Sequence, residues 1–252
     1  MCTVSWVRQV DGYVLACNRD ERHTRKPAKG PLMTELRGVE YIAPVDGDHG
    51  GSWIGVNSFG LTLCLLNRYE APTEKAAEEY TSRGLLLTDL LDCADPAQTE
   101  LRLSLAQLGA FRPFTMLALG IDDPARVFQW TGMKLDIRTS ADSMSPLISS
   151  SYRESRIAES RKQEFTRLTS PGGRVDPSIL YRFHRSHEPE RGPLSVCMHR
   201  DDAATVSMSV ITVKSKAIEF CYLAGSPCEA NATETLSMTA IRAVRTRRIK
   251  CR

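Results

Sequence analysis

Apolar and polar residues alternate near both ends of the chain and follow a helical period in between. Residues 4–10 and 13–18 read as strands flanking Asp11-Gly12, a dipeptide that favours a two-residue hairpin. Residues 23–31 are basic and hold two prolines, so a loop is expected there. A short strand is expected over 39–44. Gly50-Gly51 precedes a second hairpin, with strands 53–56 and 61–66 joined by Asn57-Ser58-Phe59-Gly60. Helices follow. Thr73 is placed to cap a helix from Glu74. Leu85, Leu86, Leu87, Leu90 and Leu91 continue an apolar stripe. Asp95-Pro96 reads as an N-cap with proline at the first helical position, and Leu101, Leu105 and Leu108 then share a face. Strands return over 114–121, 127–131 and 134–139, helices over 153–168 and 177–187, and a late hairpin over 205–213 and 217–223.

This order of strands, helices, strands, helices and strands predicts one α+β domain over residues 1–230, with helices covering largely antiparallel sheets. Residues 231–252, ending RAVRTRRIKCR, read as a basic tail or terminal helix. A length of 252 residues suffices for a sizeable core. A net charge of +3 is too small to indicate nucleic acid. No apolar run is long enough to span a membrane, and the first twelve residues do not resemble a secretory signal. Eight cysteines without a C-x-x-C pair fit reduced thiols and a cytoplasmic location. Among them Cys64 and Cys221 read as small core residues.

The first chemistry is at Cys2. Removal of Met1 would leave a thiol and a free α-amine on one residue. An α-amine titrates at about 7.7 to 8.0, so it can act as base for its own nucleophile. A turn at Asp11-Gly12 sets Val4 opposite Arg19 and Cys2 opposite Glu21. Cys2, Val4, Trp6, Cys17, Arg19 and Glu21 then share one sheet face, with Asn18 and Asp20 on the other. Arg19 becomes a diagonal neighbour of the thiol, able to lower its pKa or hold a substrate oxygen. The plainer reading is a chance cysteine and a solvated charge cluster. Gly50-Gly51 serves equally well as a tight turn or a close approach to ligand. Cys197-x-His199 and His184-x-x-His187 match no metal-binding spacing, so no metal is expected.

Four stretches go further: MCTVSW, CNRDERHTRKPA, GGSWIGVNSFGLTLCLLN and TVSMSVITVKSKAIEFCYLAGSPC. They resemble the NRDE family (transport and Golgi organization protein 2-like), the first three in order and spacing as well as content. That family in turn resembles N-terminal-nucleophile (Ntn) hydrolases of the choloylglycine hydrolase and penicillin V acylase type. The resemblance implies an αββα four-layer sandwich. Cys2 matches the nucleophile, Arg19 the active-site arginine and Asn67 the asparagine of the oxyanion hole. Substrate contacts are expected from Glu21, Trp53 and Ser150, with no cofactor. Three positions depart from the hydrolase pattern. Arg22 stands where an aspartate is expected, Ser149 or Ser150 replaces a second asparagine, and Arg200 is out of register with a late-strand arginine. Two functions follow: a cysteine amidohydrolase or acyltransferase acting on an amide or ester, or a non-catalytic carrier of a lipid-like acyl group or haem.

Overall fold

A computed structural model describes residues 2–69, 79–169, 176–230 and 233–241. Among these the elements run β1 (Cys2–Gln9), β2 (Gly12–Arg22), β3 (Lys29–Leu36), β4 (Val39–Val45), β5 (Ile54–Asn57), β6 (Thr62–Asn67), α1 (Arg83–Asp89), α2 (Pro96–Leu105), β7 (Phe114–Leu119), β8 (Arg126–Trp130), β9 (Leu135–Arg138), β10 (Leu147–Ser149), α3 (Glu154–Thr169), α4 (Pro177–Arg185), β11 (Ala203–Lys214), β12 (Ala217–Ala224) and β13 (Thr233–Thr239). The expected cap at Thr73 and the tail beyond residue 241 lie outside the described residues.

The first hairpin forms, but its turn is Val10-Asp11, one residue earlier than the Asp-Gly signal suggests. Cys2 therefore lies opposite Arg19 and Val4 opposite Cys17, in place of the expected Cys2–Glu21 and Val4–Arg19 pairs. Gly12 is a strand residue whose backbone runs tightly against β11. A Cβ there would sit 1.9 Å from the Val213 carbonyl oxygen, so glycine is required by close approach. Because a one-residue move of the turn shifts opposite pairs by two, every side chain keeps its expected face.

β10, β1, β2, β11, β12 and β13 form one antiparallel sheet, and β3 to β9 form a second in chain order. Their inner faces meet through Val4, Trp6, Leu15 and Cys17 on one side and Ile54, Cys64, Leu66 and Leu117 on the other. Tyr13 pins the two sheets together. Its buried hydroxyl lies 3.0 Å from the Gly60 carbonyl, 2.7 Å from Thr62 Oγ1 and 3.1 Å from the Leu119 carbonyl. α1 and α2 cover the outer face of the seven-stranded sheet, where Leu86, Leu87 and Leu103 pack on Leu63, Phe114 and Met116. Each such leucine contributes about 1.5–3 kcal/mol by leaving water. α4 covers the six-stranded sheet, with Leu180 against Val14, Ala16 and Met208. This is the αββα arrangement.

Three local expectations change. Residues 29–36 are the edge strand β3, where a loop is expected through residue 31. Proline is tolerated on an edge, and the pairing with β4 shifts between Lys29 and Leu32, around Pro31. Residues 233–239 pair with β12 as the outermost strand of their sheet, so the fold continues into the segment read as a tail. Asp95 caps α2 by accepting from the Gln98 N–H at 2.8 Å. The buried face of α2, however, is Pro96, Thr99 and Leu103, while Leu101 and Leu105 are exposed. With only ten residues, the helix is oriented by its cap and by Pro96 packing beside Gly120.

Candidate active site

Strand alternation divides the CNRDE run. Asn18 and Asp20 face the helices and are structural. Asn18 Nδ2 donates to the carbonyls of His184 and Val196 at 2.8 and 3.1 Å. Asp20 is buried in an ion pair with Arg161 at 3.0 Å and accepts from Thr205 Oγ1 at 2.6 Å. Cys2 and Arg19 face the other sheet and line a cleft of about 290 Å³ at one end of the sandwich. Glu21, Trp53 and Asn67 line the same cleft. Five of the six expected site residues are therefore brought together.

Ser150 is the exception. Its Oγ donates to the Tyr152 carbonyl at 2.9 Å and accepts from the Tyr152 N–H at 3.1 Å, a local turn that holds it out of the cleft. Ser149 instead pairs directly with Cys2 across β1 and β10, and its buried Oγ has no hydrogen-bond partner among the described residues. Ser149, and not Ser150, thus shares a sheet face with Cys2.

Asp46 was not singled out by any motif. It lies just beyond β4, and its carboxylate binds Arg19 at 2.7 Å and Arg25 at 2.7 Å. Its Oδ1 also accepts from the backbone N–H groups of Asp48 and His49 at 3.2 and 3.0 Å. Burial works to raise this carboxyl, but the His49 N–H, Arg25 and Arg19 outweigh it and hold it below the ordinary range. Asp46 supplies the acidic partner that Arg22 cannot. The available signal was Asp46-Gly47 ahead of Gly50-Gly51, a turn that folds a carboxylate back onto its own backbone. Arg19 is 5 % exposed and stacks over Trp53 at 4.4 Å, while Glu21 lies 3.4 Å from it. Two carboxylates and an aromatic face thus fix the guanidinium plane beside Cys2.

The opposite wall is cationic. Arg83 and Arg112 line it, and neither has a carboxylate at ion-pair distance among the described residues. Arg83 donates to the Pro113 carbonyl at 2.8 Å, and burial holds its pKa below the usual arginine value. Arg112 stacks on Tyr80 at 5.6 Å. At the end of β6, Asn67 Nδ2 donates to the Tyr69 hydroxyl at 2.8 Å. An amide carries two N–H donors, so one remains for a ligand oxygen.

Cys2 is 7 % exposed. Contact with Cys17 and then burial raise its pKa well above the ordinary cysteine value. Behind it, Cys17 Sγ lies 3.7 Å from Cys64 Sγ, both fully buried. The expected core role of Cys64 holds. Cys221 is half-buried on β12. Arg200 pairs with Asp202 and stacks on Tyr152 at 4.9 Å, and does not line the cleft. Outside the cleft, His187, Cys197, His199 and Cys228 form a separate cluster of metal-ligand type.

Comparison with solved structures supports the layer arrangement. The Caenorhabditis elegans N-acylethanolamine-hydrolyzing acid amidase ortholog is similar over 94% of this chain and 100% of its own, with a TM-score of 0.60 and 13% identity. A mutant of the conjugated bile acid hydrolase from Clostridium perfringens is similar over 94% and 92%, with a TM-score of 0.55 and 13% identity. Penicillin V acylase from Agrobacterium tumefaciens is similar over 89% and 83%, with a TM-score of 0.52 and 12% identity. At such identity the likeness shows the Ntn-hydrolase type of fold. A search of curated proteins finds no match to the sequence. The sequence profile of the Transport and Golgi organisation 2 family matches residues 1–171, and the chain belongs to that family.

Proposed function

We propose that the cleft is the acyl-transfer site of a cysteine amidohydrolase or acyltransferase whose substrate carries an anionic group. The observation that carries this reading is the direct pairing of Cys2 with Arg19 at the cleft that also holds Asn67. With Met1 removed, the α-amine of Cys2 takes the thiol proton. The sulfur attacks the acyl carbon, and the carbonyl electron pair moves onto oxygen, where the Asn67 amide donates to it. Collapse of this intermediate restores the carbonyl and expels the amine or alcohol, which takes the proton from the α-ammonium. Water, or an acceptor nucleophile, then cleaves the thioester with the same amine as base, and the thiol is regenerated.

Contact with Cys17 and burial favour the protonated thiol, so attack depends on the α-amine as base. A thiol that stays protonated until a base reaches it is not consumed by stray electrophiles. Arg19 is neutralised by Asp46 and Glu21, which makes it an orienting group. Among the described residues, Arg83 and Arg112 line the cleft without a carboxylate partner and would dock a carboxylate or phosphate of the substrate. The carrier reading for a lipid-like or haem ligand calls for an apolar cleft, and the charged lining favours the enzyme.

Intact mass spectrometry of the purified protein tests the premise. Loss of Met1 from most of the population is expected. A chain that keeps Met1 has its Cys2 nitrogen locked in a peptide bond, without basicity, and that result contradicts the mechanism.

A further inference from the structure

His187, Cys197, His199 and Cys228 come from three separate segments. His187 follows α4, Cys197 and His199 precede β11, and Cys228 follows β12. One ligand atom of each lies within 4.8 Å of all the others. His199 Nε2 lies 3.3 Å from His187 Nε2, 3.5 Å from Cys197 Sγ and 3.4 Å from Cys228 Sγ. A tetrahedral zinc ion with Zn–N of about 2.05 Å and Zn–S of about 2.3 Å requires N···N of about 3.3 Å and N···S of about 3.6 Å. The observed distances match these spacings within about 0.2 Å. A divalent cation at their centre would bind all four side chains at once.

From this juxtaposition we propose that the four residues form a closed, structural Cys2His2 zinc site. Four protein ligands leave no open position for substrate, and none of them lines the catalytic cleft. Backbone bonds help to position the ligands. The Cys197 N–H donates to the Ser186 carbonyl at 3.0 Å and the His199 N–H to the Gly192 carbonyl at 3.2 Å. The Ser226 hydroxyl donates to the Thr205 carbonyl at 3.0 Å, and the Glu229 N–H bonds back to the Ser226 carbonyl at 2.9 Å. The Arg191–Glu229 ion pair lies against the remaining nitrogen of His199, with Arg191 3.4 Å from Nδ1. The metal would staple the 186–199 segment and the turn after β12 to the edge of the strands that present Arg19. Sequence spacing hides the site because Cys228 lies 29 positions beyond His199.

The test is metal content. Full-length protein is purified from zinc-supplemented culture under reducing conditions, gel-filtered and analysed by elemental mass spectrometry. About one zinc per chain is expected, and Co2+ exchanged into the site should give the visible bands of a tetrahedral, thiolate-ligated ion. Cys228→Ser, at an exposed position, should lower retained zinc at least roughly tenfold with an unchanged far-ultraviolet circular dichroism spectrum. Zinc well below half an equivalent, no thiolate–cobalt spectrum, or a Cys197–Cys228 disulfide in freshly reduced protein would overturn the proposal. Should the variant fail to fold, the stoichiometry and cobalt spectrum of the unaltered chain decide the matter alone.

Discussion

At the scale of single residues, buried polar side chains govern both the site and its pH tolerance. His184 is fully buried on α4, with Nε2 2.8 Å from the Ser5 hydroxyl. Burial first, and the nearby Arg161 cation second, lower its pKa from 6.5 to about 3. The folded state therefore keeps His184 neutral while the unfolded chain takes up a proton. Its stability is complete above about 6.5 and is lost as pH falls toward about 3. Between pH 7 and 5 this group alone should remove roughly 2 kcal/mol, read as a drop in urea-unfolding free energy. His184→Gln should flatten that dependence, and an unchanged slope would show that other groups set it. Residue identity at the cleft was legible in part. Cys2, Arg19 and Asn67 stand in short motifs, so their types and order were readable. Asp46 and the Ser149–Cys2 pairing depend on which strands meet, and no local pattern records that.

The hairpin shows what an element can and cannot reveal about itself. Two strands joined by a tight turn near Asp11-Gly12 were readable from alternation alone. Their register was not, because Gly12 answers to β11, about two hundred residues away in the chain, and not to the turn. Gly12→Ala would push a methyl group into the Val213 carbonyl and should destabilise the fold by at least about 2 kcal/mol in chemical denaturation. Gly109→Ala, where nothing lies within 4 Å of the added carbon, should stay within about 0.5 kcal/mol. Equal costs would show that the close approach at Gly12 is not what selects glycine. β3 and β13 escaped notice for a related reason. Both are edge strands with largely exposed side chains, so the burial pattern that betrays a strand is weak in them.

For the whole molecule, the order of strands and helices implied an α+β domain with helices over largely antiparallel sheets, and the family resemblance implied the two-sheet sandwich. Neither said which ends of the sheets meet. That meeting places β1, β2, β6 and the start of α1 around one cleft, with Cys2, Arg83 and Arg112 among its lining residues. The central claim is that Cys2 is a nucleophile. Its direct test is to incubate Met1-free protein with an acyl-donating β-lactone bearing a carboxylate, then locate the added mass by tandem mass spectrometry. The account predicts about one acyl group per chain, on Cys2 and not on the buried Cys17 or Cys64, and none in Cys2→Ala. Folded, Met1-free protein that stays unlabelled, or takes the label elsewhere, would contradict it.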